Sequence, residues 1–272
     1  MPSSIEIKNV TKSFLAEPEA RAWHQKISSY QKKNSKIFTA LDGLSIDISK
    51  GSFTTIFGPN GSGKSTLFKI ISGLEEPSSG TVTINRKPVQ VARIGFVFQN
   101  YRDSMLTWRS ALGNVRLALE ARHVPKEQQN AIALEYLKKV NMAHIANKPF
   151  YSLSGGQAQL VAIARAFAFK PDILLMDEPF SALDFQTSLG MMETLSKLWQ
   201  EESITTLFIS HDIDEAVYLA DQVLVLTKNP GKVQAIVPVK FKRPRPISIM
   251  SQERFFKLRT KVLDEFKKGS KM

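Results

Sequence analysis

Short apolar segments recur along the chain and predict the strands of a buried sheet. Several are apolar throughout rather than alternating, which is the pattern of strands covered on both faces in a parallel sheet. They are SFTTIFG (52–58), RIGFVFQ (93–99), DILLMD (172–177), TTLFIS (205–210) and QVLVLT (222–227). Helical patterns separate some of them: KSTLFKIISGL after the first, residues 184–202 before the fourth, and DIDEAVYLA after it. This alternation predicts an α/β fold.

The middle of the chain, residues 104–150, has a different character. Helical patterns lie around 111–122 and 126–140, and no convincing strand occurs between Gln99 and Pro171. Because strand patterns resume only after this stretch, we predict a helical subdomain inserted into the α/β core.

The predicted domain division follows from these patterns. The core comprises residues 1–99 and 169–240, and the helical subdomain spans 100–168. Within the core, residues 15–36 are polar, basic and aperiodic, so they are predicted to form an exposed insertion between two early strands. Residues 241–272 form a basic C-terminal extension that ends in a closing helix.

Composition narrows the class of protein. A chain of 272 residues with 43% hydrophobic content can bury a full core. The absence of cysteine rules out a disulfide framework. The start, MPSSIEIKNV, lacks the pattern of a signal peptide, and no run approaches the roughly 18–20 apolar residues that cross a bilayer. A cytoplasmic location is therefore expected.

Positive charge is concentrated near the end of the chain. Residues 240–272 contain eleven Lys or Arg and three Asp or Glu, which accounts for +8 of the formal net charge of +12. The apolar residues between 252 and 268 recur on one helical face, at Phe255, Leu258, Val262 and Phe266. Two interpretations remain open: a closing helix packed on its own domain with a solvated basic face, or a helix that contacts an anionic membrane surface.

A phosphate-binding loop is indicated by GPNGSGKS at residues 58–65, which fits G-x-x-x-x-G-K-[ST] between a predicted strand and a predicted helix. Its glycines permit φ > 0, so successive backbone N–H groups can converge on an anion. Lys64 is expected to reach the β and γ phosphates, and Ser65 to offer its hydroxyl to Mg²⁺. The alternative is a glycine-rich turn without a ligand. The predicted nucleotide-binding residues are Gly58, Pro59, Asn60, Gly61, Ser62, Gly63, Lys64, Ser65 and Thr66.

Polar residues follow three further predicted strands. Asp177 and Glu178 end a buried strand at the edge where ligands bind in such sheets. Asp177 is expected to hold Mg²⁺ and Glu178 to act as general base toward the attacking water. Gln99 and His211 end two other strands and are expected to point toward the γ phosphate. The remaining histidines, His24, His123 and His144, have no companions at metal-ligand spacing and are interpreted as structural.

Taken in order, these motifs resemble the ATP-binding cassette family, the ATPase subunits of ABC transporters, over about residues 4–246. The resemblance rests on Walker A at 58–66, the Q-loop Gln99, the signature LSGGQ at 153–157, Walker B at 173–178, the D-loop SALD at 181–184 and the switch His211. It implies a P-loop NTPase core of the RecA-like kind, with a mostly parallel sheet, an antiparallel β portion on the N-terminal side and the inserted helical subdomain.

The resemblance also implies the cofactors and a composite site. ATP and Mg²⁺ are expected, with Ser65, Gln99 and Asp177 as metal ligands and with Glu178, His211 and Gln99 in catalysis. The signature helix caps the ATP of a second cassette, which adds Ser154, Gly155, Gly156, Gln157 and the D-loop Asp184 to the nucleotide-binding residues. Phe14 is expected to stack on adenine, and Phe38 is a rival for that role, as is core packing for Phe14.

Finer features resemble the nitrate, sulfonate and taurine importer branch, although Thr107 stands where relatives commonly carry proline. The expected partners are a second ATPase subunit, identical or different, integral permease subunits and, indirectly, an extracytoplasmic solute-binding protein. The expected location is peripheral, on the cytoplasmic face of the inner membrane. The transported solute would be small, for example nitrate, a sulfonate, taurine or bicarbonate. The alternatives are a soluble cassette ATPase acting on nucleic acid, although no nucleic-acid partner is expected, and a regulatory module that binds ATP without turnover.

Overall fold

The chain alternates strands and helices over most of its length. The computed structural model describes residues 3–15, 37–181 and 183–270. The strands are β1 (Ser3–Leu15), β2 (Ile37–Ser49), β3 (Phe53–Phe57), β4 (Ser79–Ile84), β5 (Lys87–Pro88), β6 (Ile94–Val97), β7 (Ile173–Asp177), β8 (Thr205–Ile209), β9 (Gln222–Leu226) and β10 (Val233–Pro238). The helices are α1 (Lys64–Ile71), α2 (Ala111–Ala121), α3 (Lys126–Lys139), α4 (Gly155–Ala168), α5 (Phe185–Glu202), α6 (Ile213–Leu219) and α7 (Glu253–Ser270).

Six strands form a central sheet in the order β10-β9-β3-β8-β7-β6. Strands β9, β3, β8, β7 and β6 pair in parallel, and β10 pairs antiparallel with β9 at one edge. The five segments predicted as strands from their apolar character form these parallel strands. The prediction of a mostly parallel sheet is therefore confirmed.

The apolar runs of the central strands have a simple explanation in the packing of the two sheet faces. In β7, Ile173 and Leu175 join one hydrophobic cluster, whereas Leu174 and Met176 join the other. Successive side chains of a strand point to opposite faces, so a strand covered on both faces requires apolar residues at every position. One cluster combines the central sheet with α1 and the N-terminal strands, and the other combines it with the remaining helices.

A second sheet lies on the N-terminal side and has the order β2-β1-β4-β5, with antiparallel pairing throughout. This confirms the predicted antiparallel portion. The described parts of β1 and β2 pair as far as Leu15 with Ile37. Of the predicted insertion at 15–36, all residues after Leu15 lie outside the described residues.

Helices α2, α3 and α4 follow one another between β6 and β7 and pack against each other. Their apolar faces belong to the same cluster as the outer face of the central sheet. Ser110 caps α2 by accepting a hydrogen bond from the backbone N–H of Gly113 at 3.1 Å. The division of this region into a separate subdomain at residues 100 and 168 stays a prediction.

The C-terminal helix α7 packs on the body of the protein through one face. Phe255 and Val262 are buried, and Leu258 and Phe266 pack against the same hydrophobic cluster. Arg259 Nε lies 2.7 Å from Asp214 Oδ1 and so joins α7 to α6. None of the helices in the described ranges combines the length and the hydropathy needed to cross a bilayer.

Adjacent phenylalanines on α7 allow the packing of this helix to be tested. Phe255 is buried against Phe241, with ring centroids 6.0 Å apart, whereas Phe256 is 60% exposed. Because a cavity would replace the buried ring, Phe255→Ala should lower the free energy of unfolding by about 3–5 kcal/mol. Phe256→Ala is the matched control and should change it by less than about 1 kcal/mol. Chemical denaturation measures both values, and equal effects would contradict this packing.

Candidate functional site

The loop at residues 58–66 connects β3 to α1 and surrounds a cavity of about 230 Å³. Gly61 and Gly63 have φ values of 82° and 79°, in the left-handed region that glycine adopts without strain. A Cβ atom on Gly63 would lie 2.8 Å from the carbonyl oxygen of Ala40. The cavity is lined by Asn60, Gly61, Ser62, Gly63, Lys64, Ser65, Thr66, Glu178 and His211. The loop therefore brings backbone N–H groups and the start of a helix to one anion-sized cavity.

Lys64 is buried beneath this loop. Its Nζ donates hydrogen bonds to the carbonyl oxygens of Gly58 at 2.8 Å and Pro59 at 3.1 Å. Burial lowers the pKa of Lys64, and the charges of Glu178 and Asp177 oppose that shift. A buried ammonium group at this position is an electrostatic partner for phosphate oxygens.

A second support of the loop comes from residues far away in the sequence. Gly231 N–H donates to the carbonyl oxygen of Ala40 at 2.9 Å, and a Cβ on Gly231 would lie 2.2 Å from the carbonyl oxygen of Ser62. The backbone of this turn therefore contacts the backbone of the phosphate-binding loop directly. Sequence analysis did not identify this contact, although the Asn-Pro-Gly turn at 229–231 is a local signal for a specific backbone conformation.

Asp177 ends β7 beside the loop and fits the requirements of a magnesium ligand. Its Oδ1 is buried and has no hydrogen-bond partner within the described part of the chain. Burial and the charge of Glu178 raise the pKa of Asp177, whereas Lys64 and a hydrogen bond from Ser65 oppose the shift. An unpaired carboxylate oxygen beside a hydroxyl at a helix start offers the hard oxygen ligands that Mg²⁺ prefers. Gln99 lines a cavity of about 330 Å³ together with Asp177.

Gln99, Glu178 and His211 are brought together at the strand ends. Gln99 Nε2 donates to Glu178 Oε2 at 3.1 Å, and His211 Nε2 lies 2.5 Å from Glu178 Oε1. Glu178 has a φ of 47°, and its N–H donates to the carbonyl oxygen of Ile209 on β8 at 3.0 Å. A left-handed conformation of a residue other than glycine costs about 1–3 kcal/mol, so β8 holds the carboxylate in place against local strain.

The signature residues form the start of α4. The Ser154 hydroxyl accepts a hydrogen bond from the N–H of Gln157 at 3.4 Å, and the Gln157 side chain accepts one from the N–H of Ser154 at 3.2 Å. This reciprocal pair is a capping box, which orients the first turn. Among the described residues that line the phosphate-loop cavity, none belongs to 153–157. Gly155 accepts a hydrogen bond from the Tyr101 hydroxyl at 3.0 Å.

Asp184 caps the following helix, α5. Its carboxylate accepts hydrogen bonds from the N–H of Thr187 at 2.9 Å and from the Thr187 hydroxyl at 2.6 Å. These two bonds lower the pKa of Asp184. A Cβ on Gly156 would lie 3.1 Å from the Thr187 methyl group, so the starts of α4 and α5 are close neighbours.

The two aromatic candidates for adenine stacking lie opposite each other. Phe14 on β1 and Phe38 on β2 are register partners, and their side chains are 38% and 45% exposed. Lys12 Nζ lies 5.1 Å from the centroid of the Phe14 ring. Neither ring is part of the core, and the assignment of the stacking role to one of them stays a prediction.

Glu215 is a further residue at the site that sequence analysis missed. It is buried in α6 and lines a cavity of about 530 Å³ together with Glu178 and His211. Burial raises the pKa of Glu215 to about 7, and hydrogen bonds from Ser210 and Ser188 oppose that rise. The available signal was spacing: Glu215 follows His211 by four residues, but helical periodicity alone does not distinguish a buried carboxylate from an exposed one.

The raised pKa predicts how stability depends on pH. Between the ordinary pKa of 4.5 and the folded value of about 7, the folded chain binds more protons at Glu215 than the unfolded chain does. The contribution of Glu215 to stability therefore falls as pH rises through this window and is level above it. Glu215→Gln removes this contribution, so the Tm of the variant relative to wild type should rise from about pH 5 to about pH 8. Scanning calorimetry measures the two curves, and a difference that does not change with pH would contradict this account.

Comparison with known sequences places the chain near transport ATPases. A family model described as "ABC transporter" matches residues 41–181. The chain is 41% identical over 236 residues to the uncharacterized ABC transporter ATP-binding protein MJ0412 of Methanocaldococcus jannaschii, covering 86% of each. It is 37% identical over 233 residues to the nitrate import ATP-binding protein NrtD of Synechococcus elongatus, covering 84% of each. It is 38% identical over 235 residues to the bicarbonate transport ATP-binding protein CmpD of the same species, covering 84% of this chain and 83% of that one.

Solved structures show a similar fold. A dimeric, post-hydrolysis structure of the ATP-binding cassette MJ0796 bound to ADP and Pi has a TM-score of 0.70 and 33% identity, covering 88% of this chain and all of that one. The structure of cbiO1 from Clostridium perfringens, described as part of the ABC transporter complex cbiONQ, has a TM-score of 0.73 and 25% identity, covering 94% of each chain. The similarity therefore spans the phosphate-binding loop, the strand ends and the signature helix together.

Proposed function

This chain belongs to the ABC transporter ATPase family, and we propose that it energises an importer of a small solute, an oxyanion such as nitrate, bicarbonate, a sulfonate or taurine. The observation that carries the catalytic part is the position of Glu178, held between Gln99 and His211 beside the phosphate-loop cavity. The similarity to proteins named for nitrate import and bicarbonate transport supports the solute class.

ATP is bound by the loop at 58–66. Backbone N–H groups of the loop and the start of α1 surround the phosphates, and Lys64 contributes its positive charge to them. Ser65, Asp177 and Gln99 would hold Mg²⁺, because they offer a hydroxyl, an unpaired carboxylate oxygen and an amide oxygen in neighbouring cavities. When bound, the ion would neutralise charge on the phosphate oxygens.

Hydrolysis is assigned to the group of three side chains. Glu178 accepts the proton of the attacking water as general base, since its carboxylate lies at the mouth of the phosphate-loop cavity. His211 contacts the same carboxylate and orients it toward the γ phosphate. Gln99 holds the second carboxylate oxygen and couples this end of β6 to the helices that follow it.

A second subunit completes the site in this proposal. The signature residues do not line the chain's own phosphate-loop cavity within the described ranges, although their helix start is free to offer N–H groups to an anion. Ser154, Gly155, Gly156 and Gln157 would therefore contact the ATP held by a partner cassette, with Asp184 at the same interface. The dimeric form of the similar cassette MJ0796 supports this arrangement. ATP bound between two subunits favours their closed state, which is the condition for a nucleotide-driven switch.

The same proposal assigns partners and a location. The subunit works with integral permease subunits and, indirectly, with an extracytoplasmic solute-binding protein. It is peripheral and lies on the cytoplasmic face of the inner membrane. The similarity to cbiO1, which is part of a transporter complex, supports an association with membrane subunits.

Glu178→Gln tests the catalytic assignment. The variant keeps the shape of the side chain but cannot accept a proton as a base, so hydrolysis should slow by about 10²–10⁴-fold while ATP binding persists. With ATP bound and not hydrolysed, the variant should accumulate as a dimer. Steady-state phosphate release and light scattering measure the two effects.

Lys64→Ala is the control for binding, because it should lose both nucleotide affinity and the ATP-dependent dimer. Unchanged turnover in Glu178→Gln would remove Glu178 from the role of base. Full activity in a preparation that stays monomeric during turnover would remove the composite site.

Purification from native membranes tests the transport assignment. The tagged chain, extracted in mild detergent, should bring integral permease subunits with it, and an associated solute-binding protein should bind a small oxyanion in calorimetric titration. Recovery with nucleic acid or its processing proteins, and without membrane subunits, would favour the alternative of a cassette acting on nucleic acid.

A further inference from the structure

Three hydrogen-bonding side chains connect α5 with the segment that carries His211. Ser210, which directly precedes His211, donates its hydroxyl to Glu215 Oε2 at 2.5 Å. Ser188 on α5 donates its hydroxyl to the other oxygen, Glu215 Oε1, at 3.2 Å. All three side chains are buried, so solvent does not compete strongly for these bonds.

The direction of the Glu215 side chain is unusual for its place in the helix. Asp212 caps α6, and a glutamate three residues after the cap commonly reaches back to the N–H of the capping residue. Here that N–H donates instead to the Ser210 hydroxyl at 2.9 Å. The Glu215 carboxylate is thus directed to side chains of two other segments, and its burial carries a desolvation cost that a shorter apolar residue would avoid.

His211 is held from both sides by this arrangement. The residue before it bonds to Glu215, and the N–H of the residue after it bonds to the same Ser210 hydroxyl. On the α5 side, Ser188 lies one turn after Asp184, whose carbonyl oxygen accepts the Ser188 N–H at 2.9 Å. A displacement at the start of α5 therefore changes the position of the Glu215 carboxylate and, through Ser210, of His211.

We propose that Glu215 is a positioning residue that links the start of α5 to His211, so that the contact of His211 with Glu178 depends on where the start of α5 lies. The inference rests on the proposed function, because it assumes that His211 orients the catalytic carboxylate. It adds a route by which the end of the D-loop, at Asp184, reaches the hydrolytic centre within one subunit. Glu215 itself touches neither Glu178 nor the phosphate-loop cavity lining.

Glu215→Ala and Glu215→Gln separate hydrogen bonding from charge. Alanine removes both serine contacts and should lower kcat by about 10- to 100-fold, the scale of loss for a misplaced catalytic group, with KM for ATP changed less than about twofold. Glutamine can accept from one serine and donate to the other, so it should retain kcat within about threefold of wild type. Restoration by glutamine is expected for a residue that positions through hydrogen bonds.

Ser188→Ala tests the link to α5 with a smaller change, in case Glu215→Ala folds poorly. It should lower kcat by several fold without weakening ATP binding. Ser196→Ala is the matched control, since Ser196 is also a buried serine of α5 but bonds to Gln200 and Arg243 instead. Equal kcat values for the two serine variants would overturn the proposal.

A double-mutant cycle with His211→Ala identifies the route of the effect. If Glu215 acts through His211, Glu215→Ala should cause no further loss of kcat in the His211→Ala background. If the two losses multiply, the proposal is wrong while the role of His211 stands. If His211→Ala alone leaves kcat unchanged, the role proposed for His211 fails, and the inference fails with it.

Discussion

The in-register pairing of the parallel strands is the constraint on which the site depends. Asp177 at the end of β7 lies opposite Ile209 at the end of β8, and Ile209 lies opposite Ile56 on β3. The residues that follow these positions therefore leave the sheet side by side. A shift of one residue in any of these pairings would exchange the faces of every side chain in that strand. Burial on both faces by large apolar side chains opposes any such shift.

Like charges at this edge are tolerated because the sheet leaves them little freedom to separate. Asp177, Glu178 and Glu215 lie within one region, and burial raises the pKa of both Asp177 and Glu215. Lys64 and hydroxyl groups offset part of the cost. The left-handed backbone of Glu178 adds local strain, which the bond to β8 holds in place. Concentrated negative charge beside a basic phosphate loop provides both an affinity for a divalent cation and a place for a proton.

The phosphate-binding loop is shaped by backbone contacts as much as by its own glycines. Ala40 at the start of β2's buried stretch and Gly231 beyond β9 both approach the loop within distances that exclude a Cβ atom. Lys232 and Asp42 join the same two segments through an ion pair of 2.8 Å. The conformation that accepts phosphate is thus held from outside the motif. This explains how a glycine-rich loop can be both conformationally permissive and well defined.

Much of the fold and part of the site could be predicted from the sequence because their signals are local. Runs that are apolar at every position identified the five parallel strands, and the pattern from Gly58 to Ser65 between a strand and a helix identified the phosphate loop. The strand-end positions of Gln99, Asp177 and His211 follow from the same reasoning, since the ends of parallel strands meet at one edge.

Only the tertiary structure decided which of these residues touch. The contacts of Glu178 with Gln99 and His211, the support of the loop by Gly231, and the burial of Glu215 between two serines each join segments far apart in the chain. No local pattern distinguishes Glu215 from an exposed acidic residue at the start of a helix. The sequence by itself determined the elements and the order of the motifs, because periodicity and turn chemistry act over a few residues. Side-chain pairing depends on how distant elements pack, and this is specified only when the whole core forms.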